Sequence, residues 1–464
     1  MIQAPPAGCH IHLIAVCGVG MASLAALLKA RGYRVTGSDQ NVYPPMSTYL
    51  AEIGIDVLPG FRAEHLVSRP DFVIVGNAVS RGNPEAEHVL QAGIPYSSFP
   101  EALGEFLIGS RQSLVIAGTH GKTTTTALAA WILSCADLAP GFFVGGVPLN
   151  YSSGWQPGEG DYVVLEGDEY DSAFFDKGPK FLHYRPRHVI LTSVEFDHAD
   201  IYHDLDHVKE AFRRLMKLIP TNGNLVVCSD YPAATEVAQE ANCPMVSYGT
   251  GGDWQAANVR FLEGRSFFTP VYRGTAEREV EAAVIGRHNV QNALAVYAMG
   301  RRLDIAVDKL LEGMATFRGV KRRQEIKGIR RGVIVIDDFA HHPTAVMETI
   351  DGVRAAYAHR RLWALFEPRS NTSRRNIFAS EFARALGHAD LVIISDLYQP
   401  EKIPNADRLS VAGVVTEINR LSHEQRALMI ADSGEIASYV ASRAQPGDVV
   451  LVMSNGGFDG VHEK

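Results

Sequence analysis

Cysteine is scarce in this sequence, and none of it is paired by spacing. Cys9, Cys17, Cys135, Cys228 and Cys243 are scattered over 464 positions with no Cys-x-x-Cys unit among them. An odd, dispersed set argues against a disulfide framework and suits thiols kept reduced in a cytoplasm. A long hydrophobic run is missing too. The apolar stretch within MIQAPPAGCHIHLIAVCGVG is short, carries His10 and His12, and has no basic leader. That weighs against a signal peptide or a membrane span, so a soluble cytoplasmic protein with no membrane partner is expected. Positive charge is not in excess: 44 Lys and Arg against 52 Asp and Glu give a net charge of −8. Nucleic acid is therefore not expected as the main partner. Apolar residues, at 46%, are ample for packed cores, and the length suggests about three domains.

Two glycine motifs are each one glycine short. Around the first, residues 12–16 read as a strand that turns at Gly18, Val19, Gly20 and Met21 into a helix over 22–30. A second strand over 33–37 ends on Ser38 and Asp39. This resembles a dinucleotide fingerprint with an acid about twenty residues on, but Ser23 stands where the third glycine belongs. What survives is a first βα turn able to take a diphosphate and an acid able to bind a hydroxyl. A further strand over 72–75 delivers Asn77 and Ser80 to the same edge.

The second motif organises the chain. The apolar run 114–117 breaks at Gly118, Thr119, His120 and Gly121, and Lys122 opens a helix rich in Thr, Ala and Leu. Ile116 occupies the position of the usual first P-loop glycine. Strand, glycine turn and helix N-terminus still make a phosphate cradle, because backbone N–H groups converge where the helix dipole favours an anion. Lys122 would reach the outer phosphates and the hydroxyl of Thr123 or Thr124 could hold magnesium, which predicts a nucleoside triphosphate site.

Downstream, the strand 162–165 delivers Glu166, Asp168, Glu169 and Asp171 within six residues, and the strand 189–192 delivers Glu195, Asp197, His198 and Asp200. Crowded acids repel unless a cation neutralises them, and two such loops after a phosphate loop point to a metal site. Histidine is an unusual magnesium ligand, so His198 fits less well on chemistry alone. Residues 253–284 predict a small antiparallel element. His288, Asn289 and Asn292 open a helix, with His288 and Asn292 on one face and an amide suited to an adenine edge. A basic segment over 317–323 links to a third run of strands and helices, where strands end at Asp337–Pro343, Glu367–Thr372 and Ser454–Gly457. The pattern predicts an α/β fold of three units: 1–109 and 325–464 Rossmann-like, and 110–324 a phosphate-loop ATPase unit.

Five stretches, AGTHGKTTT (117–125), EGDEYD (166–171), EFDHAD (195–200), GRHNVQNALA (286–295) and DDFAHHP (337–343), resemble in content and order the Mur ligases of peptidoglycan synthesis. The resemblance implies ATP-dependent amide formation on a nucleotide-linked muramyl carboxylate, with ATP and Mg2+ as cofactors. CGVGM and IVGNAVSRGNPE resemble the branch that takes UDP-N-acetylmuramate itself as acceptor. GSDQNVYPPMST, FVGGVPLN, EPRSNT and VMSNGGFDG are similar to its tripeptide-adding recycling member rather than the alanine-adding one. By position, the resemblance implies Lys122 on the γ-phosphate, Thr123 on one magnesium, and Glu166 with His198 on a second. It also implies Asn292 at adenine, Arg323 with Asp338 at ribose or phosphates, and Gly18, Gly20, Met21 and Asp39, beside Asn77 and Ser80, at the UDP-sugar. Arg369, Asn371, Ser454, Asn455 and Gly456 would face the peptide, and a base or water near His198 or His341 would take the amine's proton. Several family members carry a carbamylated lysine where Phe212 stands here, so no such modification is expected. A monomer or weak homo-oligomer acting on small molecules is expected. A P-loop kinase or ATPase is the alternative outside the family.

Overall fold

Apolar strands alternating with helices, repeated along the chain, build three successive α/β units in the computed structural model. The structure describes residues 4–43, 46–199, 201–262 and 264–464. Pro44 and Pro45 of the 37–48 stretch and Asp200 of the second acidic loop lie outside the described residues, as do the first three residues of the opening run.

The first sheet is wholly parallel. Its strands lie side by side in the order Asp56–Pro59, Arg34–Asp39, His10–Ile14, Phe72–Val75, Tyr96–Ser98. The order reverses beside His10–Ile14, which opens a crevice at the carboxyl end of that strand. In the central sheet the strand Gln112–Ala117 sits between Pro186–Leu191 and Tyr162–Gly167, with Ala117 level with Leu191 and Gly167. That register brings the phosphate loop and both acidic loops out at one edge. The antiparallel element expected within 253–284 is present as Trp254–Leu262, Arg265–Tyr272, Thr275–Ala276 and Val280–Ala282. It prolongs the parallel sheet through a single pairing of Tyr248 with Trp254 rather than standing apart. Two short strands at the opposite edge, Gly141–Phe143 and Trp155–Gln156, carry no clear sequence periodicity. In the third sheet Glu325–Arg330 runs antiparallel to Val333–Asp338, and the other four strands are parallel. Asp337 and Asp338 are the last residues of their strand, not the start of the loop beyond it.

One buried cluster passes without a break from the first unit (Ile11, Leu27, Phe106) into the central one (Val115, Phe212, Leu225). Burial of such side chains is worth about 1.5–3 kcal/mol each, so these two units are held together by core packing. Phe212 belongs to that core, its ring centre 5.5 Å from that of Phe181. The third unit has its own core around Ile336, Leu365's neighbour Phe366, Phe382 and Leu451. It meets the central unit through Ile285, which packs into that core, through the rings of Phe196 and Phe378, and through polar contacts, among them Thr372 Oγ1 donating to Asp197 Oδ1 at 2.7 Å and Thr344 Oγ1 donating to Glu195 Oε1 at 3.3 Å. Among the described residues no helix is long and apolar enough to cross a membrane.

Candidate active site

The phosphate loop owes its shape to two glycines. Gly118 has φ +135°, and a Cβ there would lie 2.2 Å from Thr192 Oγ1. Gly121 has φ +79° and precedes the helix Lys122–Cys135, and a Cβ there would lie 2.6 Å from Asn292 Oδ1. Both positions exclude any larger residue by strain and by contact. The loop is also tied to the neighbouring strand end. The amides of Thr119 and His120 donate to Ser193 O at 3.1 Å and Ser193 Oγ at 2.9 Å, and Thr119 Oγ1 accepts from the Glu195 amide at 2.9 Å.

Lys122 does not project into the open loop. Its ammonium donates to the Gly118 carbonyl at 2.6 Å and pairs with Glu169 at 2.9 Å. Burial alone would lower its pKa, but Glu169 and Asp168 overcome that and hold it above the ordinary lysine value. Burial likewise pushes the Glu169 carboxyl up, and Lys122 with His198 brings it below its usual range. His198 Nε2 lies 3.4 Å from Glu169 Oε1, so the histidine is partnered with Glu169, not Glu166. Glu166 stands on the other side, where it accepts from the Gly145 amide at 2.7 Å and from Thr123 Oγ1 at 3.2 Å. Burial and the charge of Asp168 raise its pKa. Thr123 Oγ1 also accepts from Arg323 Nη2 at 2.9 Å, which brings a guanidinium between the hydroxyl and the third unit. Thr123 and Glu166 offer hard oxygen donors on neighbouring elements, a set that fits magnesium.

The third unit closes the site. Arg323 lies over the Phe339 ring at 4.5 Å. Asp338 accepts from the amides of Gln324 and Ala340, each at 2.7 Å, and burial raises its pKa against the pull of Arg323. Asn289 Nδ2 donates to Gln324 Oε1 at 3.0 Å, and Asn292 Nδ2 donates to Asn289 Oδ1 at 3.1 Å. Burial lowers His288 to about 4 and also lowers His341, which leaves both imidazoles neutral near pH 7.

Thr119, His120, Gly121, Lys122, Thr123, Thr124, Glu166, His198, His288, Asn289, Asn292, Arg323, Asp338 and His341 line one cavity of about 430 Å³ between the central and third units. Gly118 is not among its lining residues. Of the five residues expected at the peptide, Asn455 alone reaches this cavity. Arg369, Ser454 and Gly456 gather just behind: the Arg369 guanidinium lies 3.6 Å from the centre of the Tyr398 ring, and Ser454 Oγ donates to Glu367 at 2.5 Å and accepts from the Gly456 amide at 2.9 Å. Asn371 accepts from Arg374 at 2.7 Å. In the first unit Gly18, Gly20 and Met21 form the turn and opening of the helix Val19–Ala30, and Asp39 accepts from the Cys17 amide at 2.9 Å. Asn77 and Ser80 are exposed beside that crevice. Sequence reasoning missed Glu169, Glu195, His342, Tyr398 and Arg322, whose Nη2 donates to the Ser454 carbonyl at 2.7 Å. The first two stood in acidic loops already singled out, and Tyr398 carried no local signal.

A fused phosphate-loop unit flanked by two Rossmann-like units, with the third reaching across to the phosphate loop, is the architecture of an ATP-dependent ligase. Three family models match in chain order: the Mur ligase family catalytic domain over residues 10–111, the Mur ligase middle domain over 116–300, and the Mur ligase glutamate ligase domain over 322–456. The chain belongs to the Mur ligase family. It is similar to the Escherichia coli UDP-N-acetylmuramate–L-alanyl-gamma-D-glutamyl-meso-2,6-diaminoheptandioate ligase, 41% identical over 98% of this chain and 97% of that one. The crystal structure of a murein peptide ligase from Psychrobacter arcticus superposes with a TM-score of 0.72 at 36% identity, covering 98% of both chains. A UDP-N-acetylmuramate–L-alanine ligase from Chlorobium phaeovibrioides is 35% identical over 97% of this chain and 95% of its own.

Proposed function

We propose that this enzyme joins the tripeptide L-alanyl-γ-D-glutamyl-meso-diaminopimelate to UDP-N-acetylmuramate at the expense of ATP, through an acyl phosphate. The reading rests on one observation above all. Residues of the phosphate loop, both acidic loops and the third unit converge on a single cavity, while a crevice for a diphosphate opens on the first unit. The higher identity to the tripeptide ligase than to the alanine ligase favours the peptide as the amine.

In this reading the triphosphate lies along residues 118–124, with Lys122 turning from Gly118 and Glu169 to the γ-phosphate. Asn292 and His288 would meet adenine, and Arg323 with Asp338 the ribose or phosphates. Thr123 and Glu166 would hold one magnesium ion, and His198 beside Glu169 a second. Bound there, magnesium offsets charge on the phosphate oxygens. The lactyl carboxylate attacks the γ-phosphorus in line and releases ADP, and the mixed anhydride then meets the α-amine of the tripeptide. The tetrahedral adduct collapses to the amide and expels phosphate. His341, which lines the cavity and is held neutral, would take the amine's proton, directly or through water. Closure of the third unit over this step keeps water from the anhydride. Gly18, Gly20, Met21, Asp39, Asn77 and Ser80 would hold the UDP-sugar, and Arg369, Ser454, Asn455 and Gly456, with Asn371, the far end of the peptide.

The test incubates the enzyme with ATP, magnesium and UDP-N-acetylmuramate, offering L-alanine or the tripeptide in separate reactions. Amide product with the tripeptide alone is expected. Product with L-alanine alone would assign the alanine-adding reaction, and ADP release without any amine would point to a phosphatase or kinase.

A further inference from the structure

Three polar groups converge at the outer edge of the phosphate loop, and the atoms they turn toward one another make no aligned hydrogen bond. His120 comes from the loop itself, Glu195 from the loop after the strand Pro186–Leu191, and His342 from the residue that precedes the helix Pro343–Ala356 of the third unit. One donor atom from each, a ring nitrogen or a carboxylate oxygen, lies within 4.8 Å of the other two. His342 is 5% exposed, yet neither of its ring nitrogens has a hydrogen-bond partner. His120 Nε2 and Glu195 Oε2 form an ion pair at 2.9 Å whose alignment falls short of a hydrogen bond.

We propose that His120, Glu195 and His342 form a binding site for a zinc-class divalent ion that couples the third unit to the phosphate loop. Two imidazoles and one carboxylate, with a position left for water, are a donor set suited to zinc and its first-row neighbours and unlike the all-oxygen sets of magnesium or calcium. Buried polar atoms in folded proteins are satisfied, so His120 Nε2, Glu195 Oε2 and one ring nitrogen of His342, meeting at one point without hydrogen bonds, call for a common partner. Two near neighbours that fail to hydrogen-bond to each other are in keeping with two ligands turned toward a third atom. The groups are also held in place: the His120 amide donates to Ser193 Oγ at 2.9 Å, the Glu195 amide to Thr119 Oγ1 at 2.9 Å, and Thr344 Oγ1 to Glu195 Oε1 at 3.3 Å. The two rings lie 4.7 Å apart with a 36° tilt, and the far side of His342 packs on Phe378 at 5.1 Å. Burial lowers His342 to about 4, which leaves its ring neutral and its lone pair free at neutral pH. None of the three residues belongs to the Thr123, Glu166 and His198 set, so this site is distinct from the one assigned to magnesium. Because His342 alone comes from the third unit, an ion here binds only when that unit is closed against the phosphate loop.

The test titrates the full-length protein with Co2+ in excess Mg2+ and follows the visible absorption of cobalt in a four- or five-coordinate nitrogen–oxygen site. One Co2+ per chain is expected, displaced by Zn2+. In His342→Ala and in the near-isosteric Glu195→Gln, each checked for folding by circular dichroism, affinity should fall by more than the roughly 100-fold that loss of a merely supporting partner costs. Glu166→Gln should keep the signal. No cobalt bound in excess magnesium, a signal that survives in the folded Glu195→Gln protein, or one that disappears with Glu166→Gln would overturn the assignment.

Discussion

Replacing Gly121 by alanine separates the geometry of the phosphate loop from general stability. The backbone at Gly121 is left-handed, at φ +79°, which costs an L-residue about 1–2 kcal/mol. The new Cβ would sit 2.6 Å from Asn292 Oδ1, inside van der Waals contact, so the Asn292 amide has to retreat. Retreat breaks its 3.1 Å hydrogen bond to Asn289, worth about 1 kcal/mol. The loop relieves this strain by leaving the arrangement that cradles phosphate, so the penalty of about 2–3 kcal/mol falls on nucleotide binding, a loss of about 30- to 150-fold in ATP affinity. Gly274→Ala is the control: φ is +86°, and no atom lies within 4 Å of the added Cβ. It carries the strain alone, at a hairpin turn far from the cavity, and should leave ATP affinity unchanged. Calorimetric titration with a non-hydrolysable ATP analogue reads both. A Gly121→Ala protein that binds within about threefold of the parent, under 1 kcal/mol, would refute the placement of the triphosphate.

Lys122→Ala removes the counter-charge of buried Glu169 as well as the contact to the γ-phosphate, so turnover should drop by several orders of magnitude while UDP-sugar binding to the first unit persists; steady-state kinetics and sugar-nucleotide titration check this. Thr372→Val deletes the donor to Asp197 across the junction of the central and third units, and should lower the stability of that junction by about 1–3 kcal/mol, read as faster limited proteolysis between the units. Asp448 accepts from Trp363 Nε1 at 2.9 Å and from Arg361 Nη2 at 2.6 Å; burial raises its pKa, but Arg361 and these hydrogen bonds leave it below the ordinary aspartate value. A depressed carboxylate stabilises the fold above the unfolded pKa, about 4, and loses that contribution as pH falls through the depressed value. Asp448→Asn should therefore be less stable than the parent near pH 7, and the gap should narrow in denaturation curves taken below pH 4.

Much of this was legible in sequence where the signal is local. The strands Phe72–Val75, Leu362–Phe366 and Val449–Met453 match their apolar runs end to end, because fully buried parallel strands have no polar interruptions to blur them. The phosphate loop was readable because its glycines and lysine are adjacent in the chain. Partnerships between distant segments were not. Four acids follow Tyr162–Gly167 or end it, and only the strand's register and the fold of the loop place Glu169, rather than Glu166, against Lys122 and His198. The stack of Arg369 on Tyr398 joins two loops of the third unit that lie far apart in the chain, and the meeting of His120 with His342 depends on how the third unit sits on the central one; no periodicity encodes either. The edge strands Gly141–Phe143 and Trp155–Gln156 are too short to show an alternation.

The acyl phosphate is the centre of the account, and isotope transfer tests it directly. UDP-N-acetylmuramate labelled with 18O in its lactyl carboxylate, turned over with ATP, magnesium and the tripeptide, should release inorganic phosphate carrying one labelled oxygen per turnover. Phosphate free of label, with amide formed at the normal rate, would contradict it.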